Sequence, residues 1–374
     1  MSEEHEAADS AAAVGLWEDF CESLKGAAYV LTREETPDDE LDLVEGVRHL
    51  SRALRMGLEA IVEYGDPAFP VLFEAKDEAT LSGGVAPDMT YHEAIIDGAH
   101  TYRIIGPMSS APWLEIATYE GKPGMHDNAA LVASITEERL EVASDGTLEV
   151  WIGGPPRDGN WLAAPSGEGL VMVRHVAHDW SRHTRPNLRI EVAGHAGEAT
   201  PNVTFDRLRA GFERVARYVP ALPMVWAGSA VDPALAFLAN QVVNIDFDPD
   251  SELNLGRAQL HSAGAFDLEN GEALELRFRP ADCGYWSAFL ADYWFEPYQY
   301  RHRGGRSHLN DRDVVPEADG TVRLVIAARD PGVPNWLDTR DHRRGPIVFF
   351  WLRTREPLQP IGATKVRVAD LNPA

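Results

Sequence analysis

An internal repeat constrains the fold of this chain more than any other feature of its sequence. Asp145-Gly146-Thr147 opens an apolar run that leads to Asn160-Trp161-Leu162, and Asp319-Gly320-Thr321 opens another that leads to Asn335-Trp336-Leu337. The two copies are offset by 174 residues at the first motif and by 175 residues at the second. Ordered similarity at one spacing indicates a duplicated structural unit. We therefore predict two related modules.

Short runs rich in β-branched and aromatic residues surround both copies of the repeat, and Gly, Pro, Asn and Asp separate these runs. Examples lie at residues 101–105, 148–152, 273–278 and 347–352. Many short strands with frequent turns are typical of a β-sandwich or jelly roll. We predict the first β-module at residues 90–195 and the second at residues 250–374.

Apolar residues recur at helical spacing within residues 16–24, 43–61 and 205–218. This spacing predicts amphipathic helices that must pack on something larger. The predicted segments are a disordered acidic tail at 1–12, a helical hairpin at 13–66 and a helical connector at 200–245. The expected fold class is α+β and β-rich, an N-terminal helical hairpin plus two related jelly-roll-like β-sandwich modules separated by helices.

The residues of the repeat also carry a family resemblance. Asn-Trp-Leu-Ala-Ala-Pro at 160–165 and Asp-Pro-Gly-Val-Pro-Asn-Trp-Leu-Asp-Thr at 330–339 resemble the bacterial "domain of unknown function 1214" family. The resemblance is best over residues 270–357 and weaker over residues 95–195. It implies a jelly-roll-like β-sandwich, often accompanied by a second β-domain and a helical segment. It implies no established reaction and no cofactor.

The charge of the chain excludes several classes of partner. Its 34 basic and 59 acidic residues give a formal net charge of -25. Nucleic-acid binders need clustered Lys and Arg, and anionic membranes repel an acidic chain. We therefore expect a small-molecule substrate or ligand, and neither nucleic acid nor a membrane as partner. The sequence leaves open whether the chain forms a homo-oligomer.

Location and cofactor use are expected from missing signals. The N-terminal segment has neither the basic nor the apolar region of a signal peptide, and Cys21 and Cys283 have no partner at metal-ligand spacing. We expect a cytoplasmic protein with two buried free thiols. The sequence contains no phosphate loop, dinucleotide fingerprint, nucleophile elbow or zincin motif, so we expect no cofactor.

A polar loop in the second copy of the repeat is the main candidate for chemistry. Residues 329–345 combine carboxylates, a histidine and several arginines on a segment stiffened by two prolines. Such groups could supply an acid, a base and a clamp for negative charge. The predicted catalytic residues are Asp338, His342 and Asp330, and the predicted substrate-binding residues of this segment are Arg340, Arg343, Asn335 and Trp336.

The first copy of the repeat contains Asn-Trp-Leu without the Asp-Thr-Arg-Asp-His tail. This recurrence favours a structural role for Asn335 and Trp336, whereas differentiation of the tail is what a site would require. Aromatic residues near Glu296 form a further candidate surface, in which Trp294 and Tyr298 could line a cleft for a sugar or an apolar ring. Core packing is the alternative explanation for both aromatic residues.

Three histidines lie close together at positions 175, 178 and 183. On a strand, His175 and His178 would point to opposite faces. We expect surface or loop histidines here and no metal site, although the sequence alone does not decide whether His175, His178 or His183 binds a metal.

These observations suggest two functions of different classes. The first is a cofactor-independent hydrolase or lyase that acts on a small organic or carbohydrate substrate in a cleft near the second β-module. The alternative is a non-catalytic small-molecule or sugar-binding protein. Basic clusters at 301–306 and 340–344 predict a local cationic patch, which would admit a small anionic substrate.

Overall fold

The computed structural model describes residues 3–77, 79–126, 129–195, 197–245, 259–298 and 305–371. Its helical elements are α1 Glu3–Leu24, a 3₁₀ helix Lys25–Thr32, α2 Glu40–Gly57, a π-helical turn Leu58–Glu63, α3 Phe205–Pro223, a π-helical turn Met224–Val231, α4 Asp232–Phe237 and two short 3₁₀ turns, Trp180–Arg182 and Val368–Asp370. None of the helices in these ranges is long and apolar enough to cross a bilayer. Both cysteines are free thiols, and Cys21 is exposed rather than buried.

The helices pack together through one apolar cluster. Phe20 of α1, Met56 of α2 and Val215 of α3 are buried in it, and the ring of Phe20 stacks on that of Phe212 at 4.1 Å. Helix α2 begins where Asp39 caps it, because the Asp39 side chain accepts a hydrogen bond from the Asp42 backbone N–H. The predicted helical hairpin is thus part of a larger helical unit that includes α3.

Helix α1 extends over most of the segment that we expected to be a disordered acidic tail. It begins at Glu3, within the predicted tail at 1–12. Residues 3–13 consist largely of Ala and Glu. Both are strong helix formers, so local propensity favours helix here in spite of the acidic composition.

Nine strands in two sheets form the first module. They are β1 Phe73–Glu74, β2 Met89–Asp97, β3 Tyr102–Pro107, β4 Trp113–Glu120, β5 Leu131–Thr136, β6 Thr147–Ile152, β7 Trp161–Leu162, β8 Glu168–Val176 and β9 Arg189–Val192. The five-stranded sheet has the order β1-β2-β8-β4-β5 and the four-stranded sheet has the order β7-β6-β3-β9. Ile104, Val150 and Val173 lie in the apolar core between them.

The second module repeats this arrangement. Its strands are β10 Gln241–Ile245, β11 Gln259–Asp267, β12 Glu272–Phe278, β13 Tyr285–Leu290, β14 His308–Asn310, β15 Val322–Ala327, β16 Trp336–Asp338, β17 Arg344–Leu352 and β18 Gly362–Arg367. The sheet orders, β10-β11-β17-β13-β14 and β16-β15-β12-β18, are those of the first module with every strand number raised by nine. The predicted fold class and duplication are confirmed.

One boundary differs from the expectation. Residues 241–245 form β10, the first strand of the second module, although we predicted a helical connector as far as residue 245. Val242 is buried in the core of the module, whereas Gln241 and Val243 are exposed. This alternation has the period of a strand, so the chain leaves helical structure after Phe237.

In both modules the side chain of the recurring Asn forms hydrogen bonds that join a loop to a strand. Asn335 donates from Nδ2 to the carbonyl oxygens of Val315 and Arg323, at 2.8 and 2.9 Å, and its Oδ1 accepts from the Val315 N–H. Asn160 makes the same three bonds, with Glu141 and Glu149 as partners. The repeated motif therefore reflects a structural requirement.

The two modules pack face to face through their five-stranded sheets. Val348, Phe350 and Leu352 of β17 point away from their own module core and join Tyr91 and Val176 of the first module in an apolar cluster. Eight consecutive residues of β17 are buried, as expected for a strand that is covered on both faces. We call this sheet-to-sheet interface the seam.

Buried polar groups cross the seam as well. Asp88 Oδ2 accepts hydrogen bonds from the Tyr285 hydroxyl at 3.0 Å and from Asn310 Nδ2 at 2.8 Å. Arg174 donates to Glu115 Oε2 at 2.8 Å and to Gln259 Oε1 of the second module at 3.3 Å. Paired polar groups of this kind fix the relative position of the two sheets, because breaking one pair leaves a buried group unsatisfied.

Candidate functional site

The polar loop that the sequence singles out connects β16 to β17 and has an unusual backbone. Arg340 and Asp341 are consecutive non-glycine residues with left-handed φ angles of 55° and 66°. The Asp338 carboxylate accepts a hydrogen bond from the Arg340 N–H at 2.8 Å, and the His342 N–H donates to the Thr339 carbonyl at 3.0 Å. Left-handed non-glycine residues cost about 1–3 kcal/mol each, so the surrounding structure must hold this turn.

The turn directs His342 into the protein. His342 is buried, and its ring stacks on that of Tyr298 with 4.4 Å between centroids. Its Nδ1 lies 3.1 Å from the Thr339 carbonyl oxygen, which can only accept, so Nδ1 carries the proton. Burial lowers the pKa of His342, and the imidazole is therefore neutral with a free lone pair on Nε2.

The group that faces this lone pair comes from the helical unit. Asp42, in the first turn of α2, has Oδ1 3.9 Å from His342 Nε2. Burial, together with the neighbouring carboxylate of Asp39, raises the pKa of Asp42 to about 8. At neutral pH the carboxyl group is thus mostly protonated and lies opposite an unprotonated imidazole nitrogen.

Tight packing fixes Asp42 in this position. Its backbone carbonyl accepts a hydrogen bond of 2.8 Å from the indole N–H of Trp294. Gly46, one turn along α2, lets the indole approach, because a Cβ at this position would lie only 2.4 Å from a Trp294 ring atom. Trp294 is fully buried, so it joins the helical unit to the second module.

Four buried polar atoms around this contact have no hydrogen-bond partner among the described residues. They are Asp42 Oδ1, Tyr298 OH, Thr339 Oγ1 and His342 Nε2. Buried polar atoms in native proteins are normally paired, and each exception calls for an explanation such as a catalytic role or a missing ligand. A cluster of four on three different elements is therefore a candidate functional site.

A second buried polar group adjoins the cluster. Glu296 accepts a hydrogen bond from Arg52, and its other carboxylate oxygen lies 2.8 Å from His49 Nδ1. Burial raises the pKa of Asp292 to about 7 and lowers the pKa of His49 to about 4. The Arg52 guanidinium thus provides the positive charge that Glu296 needs in this buried position.

A surface pocket of the second module adjoins the candidate site, and neither Asp42 nor Tyr298 lines it. Thr339 and His342 line it, together with residues of the β11–β12 turn, and its volume is about 1000 Å³ including its open mouth. Of the residues at 340–344 that we expected to form a cationic patch, Asp341, His342 and Arg343 line the pocket. Arg329 pairs with Asp341 at 2.9 Å, and Arg343 pairs with Glu269 at 2.8 Å, so both arginines that line the pocket are paired.

The carboxylates of the other predicted catalytic residues, Asp330 and Asp338, accept hydrogen bonds from backbone N–H groups. Asp330 is exposed, and its carboxylate accepts from the Gly332 N–H at 2.8 Å in a surface turn. Asp338 is half-buried and bonded to the loop backbone, as described above, and Arg340 is exposed. The loop thus brings His342 together with Asp42, which the sequence did not suggest, and not with Asp330.

The predicted binding aromatics are engaged in packing. Trp294 is fully buried, Tyr298 is half-buried against the core of the second module, and Trp336 donates its indole N–H to the Ala327 carbonyl at 2.8 Å. Trp161 makes the equivalent bond to Gly153 in the first module. Of the predicted cationic patch, residues 301–304 lie outside the described residues.

The expectation for the histidines at 175–183 is wrong for His175. This residue alternates with Val171 and Val173 along β8 and therefore faces the core of the first module, where it is fully buried. Burial lowers the pKa of His175 to about 3, so it is a neutral core residue. His178 pairs with Asp311 across the seam at 2.8 Å. In the ranges that the structure describes, no group of three potential ligands could hold a metal ion.

Sequence reasoning missed Asp42, Asp292 and His49. Asp42 carries a visible signal, but an acidic residue in the first turn of a helix is explained equally well by the helix dipole. Which module the helix would pack against is not encoded in that pattern. Asp292 and His49 are brought together only by this tertiary contact.

The fold and the site define a class of duplicated β-sandwich proteins with an attached helical unit. The family described as "Protein of unknown function (DUF1214)" matches residues 89–176 and 260–359, and the chain belongs to this family. The match covers both modules, as the repeat predicts.

Two solved structures are similar to the chain. The crystal structure of an uncharacterised protein from Burkholderia cenocepacia shares 30% identity with a TM-score of 0.87, over 95% of this chain and 98% of that chain. The VPA0106 protein from Vibrio parahaemolyticus shares 12% identity with a TM-score of 0.45, over 85% of this chain and 96% of that chain. No curated protein matches the chain.

Proposed function

We propose that the protein is a cofactor-independent hydrolase or lyase, located in the cytoplasm, that acts on a small organic or carbohydrate substrate in the pocket beside His342. The observation that carries this proposal is the approach of two buried atoms, Asp42 Oδ1 and His342 Nε2, which lie 3.9 Å apart and have no hydrogen-bond partner among the described residues. Neighbouring groups whose pKa values are shifted apart are typical of acid–base pairs.

The two groups have complementary roles in this proposal. His342 Nε2 takes a proton from a water molecule in a hydrolase, or from a carbon acid in a lyase. The Asp42 carboxyl supplies a proton to the leaving group. Tyr298 and Thr339 offer hydroxyl groups that could orient the substrate, and the strained turn at Arg340 and Asp341 keeps His342 in place.

Turnover of a substrate panel tests the proposal. The panel contains small esters, lactones, hydroxy acids and oligosaccharides, and products are followed by mass spectrometry. We expect His342→Gln to reduce turnover by about 100-fold or more, as loss of a general base does. We expect Asp42→Asn to reduce it as well and to remove the basic limb of its pH profile.

Glu317→Gln is the matched control, because Glu317 is exposed on another loop of the second module. It should leave turnover unchanged. Folded His342→Gln protein with wild-type turnover would contradict the assignment of the base. Absence of turnover across the panel would contradict the proposed enzyme class.

The alternative is a non-catalytic small-molecule or sugar-binding protein. It is supported by the unpartnered hydroxyls of Tyr298 and Thr339, since a ligand rich in hydroxyl groups satisfies such atoms without any chemistry. The same panel separates the two functions. Thermal stabilisation by a compound that is not turned over favours binding, whereas stabilisation accompanied by product favours the enzyme.

A further inference from the structure

A second pocket lies between α3 and the first module, apart from the candidate site described above. Two arginines of α3, Arg214 and Arg217, form one wall, and they lie on the same face of the helix because they are three positions apart. Met125, His126 and Glu168 of the first module line the opposite wall. The volume is about 670 Å³ including the open mouth, which is enough for a small organic molecule.

The wall from the first module is a closed turn that packs tightly on α3. The backbone N–H groups of Met125 and His126 both donate to the Lys122 carbonyl at 3.0 Å. Gly124 has a left-handed φ of 79°, and a Cβ at this position would lie 3.0 Å from the buried Tyr218 ring of α3. Glycine permits both the turn and the close approach. The two walls are therefore held against each other without a ligand.

Glu168, at the start of β8, is fully engaged by its neighbours. His126 Nδ1 accepts a hydrogen bond from the Lys122 N–H at 3.0 Å, so the proton of this imidazole is on Nε2, which lies 3.2 Å from Glu168 Oε1. Arg214 donates to both oxygens of the same carboxylate. The hydrogen bond from His126 and the charge of Arg214 lower the pKa of Glu168. Glu168 is thus ionised at neutral pH and balances Arg214.

Arg217 has no such partner. It is exposed, and among the residues that the structure describes it has no hydrogen bond, ion pair or ring contact. The lining residues therefore carry a net charge of +1, from two arginines and one glutamate, in a chain with a net charge of -25. A guanidinium presents a planar fork of donors that matches a carboxylate. An unpaired guanidinium in a concave site favours an anionic ligand.

The charge and the lining of the pocket also indicate which kind of anion fits. A monoanion leaves the pocket neutral, whereas a dianion leaves an uncompensated negative charge beside Glu168. Met125 gives the pocket an apolar wall, and it is held by packing against the apolar cluster of the helical unit. An organic acid with an apolar body can use both features, because its carboxylate and its body reach different walls.

We propose that this pocket binds a small monocarboxylic acid, of which benzoate is an example. The carboxylate pairs with Arg217, and the apolar body lies against Met125. The pocket shares no residue with the one beside His342, so the proposal does not depend on the function proposed above.

Calorimetry and ligand-observed NMR with three probes test the proposal. Benzoate should bind saturably and about tenfold or more tightly than benzamide, which has nearly the same shape but no charge. Inorganic sulfate should bind more weakly than benzoate, because it is a dianion and has no apolar body. Equal affinity for benzoate and benzamide, no saturable binding of benzoate, or tighter binding of sulfate would overturn the proposal.

Two substitutions on α3 locate the binding. Arg217→Gln should reduce benzoate affinity by about tenfold or more. Arg209→Gln is the matched control and should leave the affinity unchanged, because Arg209 lies outside the pocket and is likewise an exposed arginine without an ion pair among the described residues. Unchanged affinity in Arg217→Gln would place the bound benzoate elsewhere. Equal losses in both variants would reflect general attraction to a basic helix, and either result refutes the assignment of the site.

Discussion

The same loop is built differently in the two modules. Between the equivalent Leu162 and Glu168 the first module has the five residues 163–167, whereas between Leu337 and Arg344 the second module has the six residues 338–343. The last residue of each loop accepts one backbone hydrogen bond. In the first module Gly167 accepts from Gly98 at 3.1 Å, and in the second module Arg343 accepts from Leu268 at 2.9 Å. The extra residue is thus accommodated within the loop, where the second module has two left-handed residues.

With this single insertion, equivalent side chains of the two loops differ in burial. Ser166 of the first module is exposed, and its N–H and hydroxyl both donate to the carboxylate of Glu120. The corresponding residue of the second module is His342, which is buried against Tyr298 and the helical unit. A duplicated scaffold can therefore keep one copy of a loop as a closed connection and turn the other into a polar site. The loop of the second module differs because the helical unit packs over it.

Removing the Arg52 guanidinium, which binds the helical unit to Glu296 of the second module, should have the largest effect on stability. Arg52→Met leaves Glu296 buried without its guanidinium partner, which costs about 3–5 kcal/mol of unfolding free energy. Urea denaturation measures the loss. Arg48→Met, one turn earlier on α2, breaks only a pair whose Arg48 side chain is 45% exposed and should change stability by less than about 0.5 kcal/mol. Similar losses of unfolding free energy in both variants would show that the buried Arg52–Glu296 pair does not stabilise the packing of the helical unit on the second module.

Removing the side chain of the recurring Asn should destabilise the two modules equally. Asn335→Ala and Asn160→Ala each remove three hydrogen bonds and leave backbone groups unsatisfied, so each should lower the unfolding free energy by about 2–3 kcal/mol. The measurement is again urea denaturation. A much larger loss for Asn335→Ala, or a loss of turnover confined to that variant, would assign it the binding role that its motif does not require.

The pH dependence of stability should report on the buried Asp42 carboxyl, where the helical unit meets the second module. The pKa of Asp42 rises from 3.8 to about 8 on folding, so the folded state holds a proton that the unfolded chain releases within this range. Stability therefore falls as pH rises through the window and levels off above it. Between pH 6.5 and 8 this carboxyl contributes a loss of about 1–2 kcal/mol.

Asp42→Asn should make this decline less steep, because an amide keeps its charge at zero throughout, whereas Asp292 still titrates in the variant. Asp38→Asn, an exposed neighbour in the same helix cap, serves as the control and should retain the wild-type slope. Urea midpoints at pH 6.5, 7.25 and 8 provide the comparison. An unchanged slope in Asp42→Asn would mean that Asp42 is ionised in the folded protein.

Relieving strain in the second loop should have the smallest effect. Arg340→Gly removes the penalty of a left-handed φ and should raise the unfolding free energy by about 0.5–1 kcal/mol. Arg343→Gly, in the same loop with an ordinary φ, should lower it slightly. If Arg340→Gly is destabilising, the turn is not strained. If the prediction holds and turnover falls, the strain serves to position His342.

The sequence contained most of the fold and only part of the candidate site. Asp145 and Asp319 mark equivalent turns, in which each carboxylate accepts from the N–H of the Thr two residues on, at 2.9 Å. Such requirements are local, so they leave a motif in both copies. The contact between Asp42 and His342 is not local, because the two residues are separated by 300 positions and meet only when the helical unit packs on the second module.

The burial of His175 likewise depends on structure that the local sequence does not specify. Its spacing to His178 suggested an exposed cluster, but its place in β8 directs it into a core. Strand alternation could have shown this had the end of β8 been known, and strand ends are set by pairing with β2 and β4 rather than by local sequence.

The seam has a consequence for how the chain behaves as an assembly. Its two matched sheets meet as the halves of a homodimer would, yet they belong to one polypeptide. Dilution cannot separate halves that are covalently tethered, since each sees the other at an effective concentration that is fixed by the intervening chain. A module produced alone would expose the apolar face of β8 or β17 to water and would have to find a substitute partner.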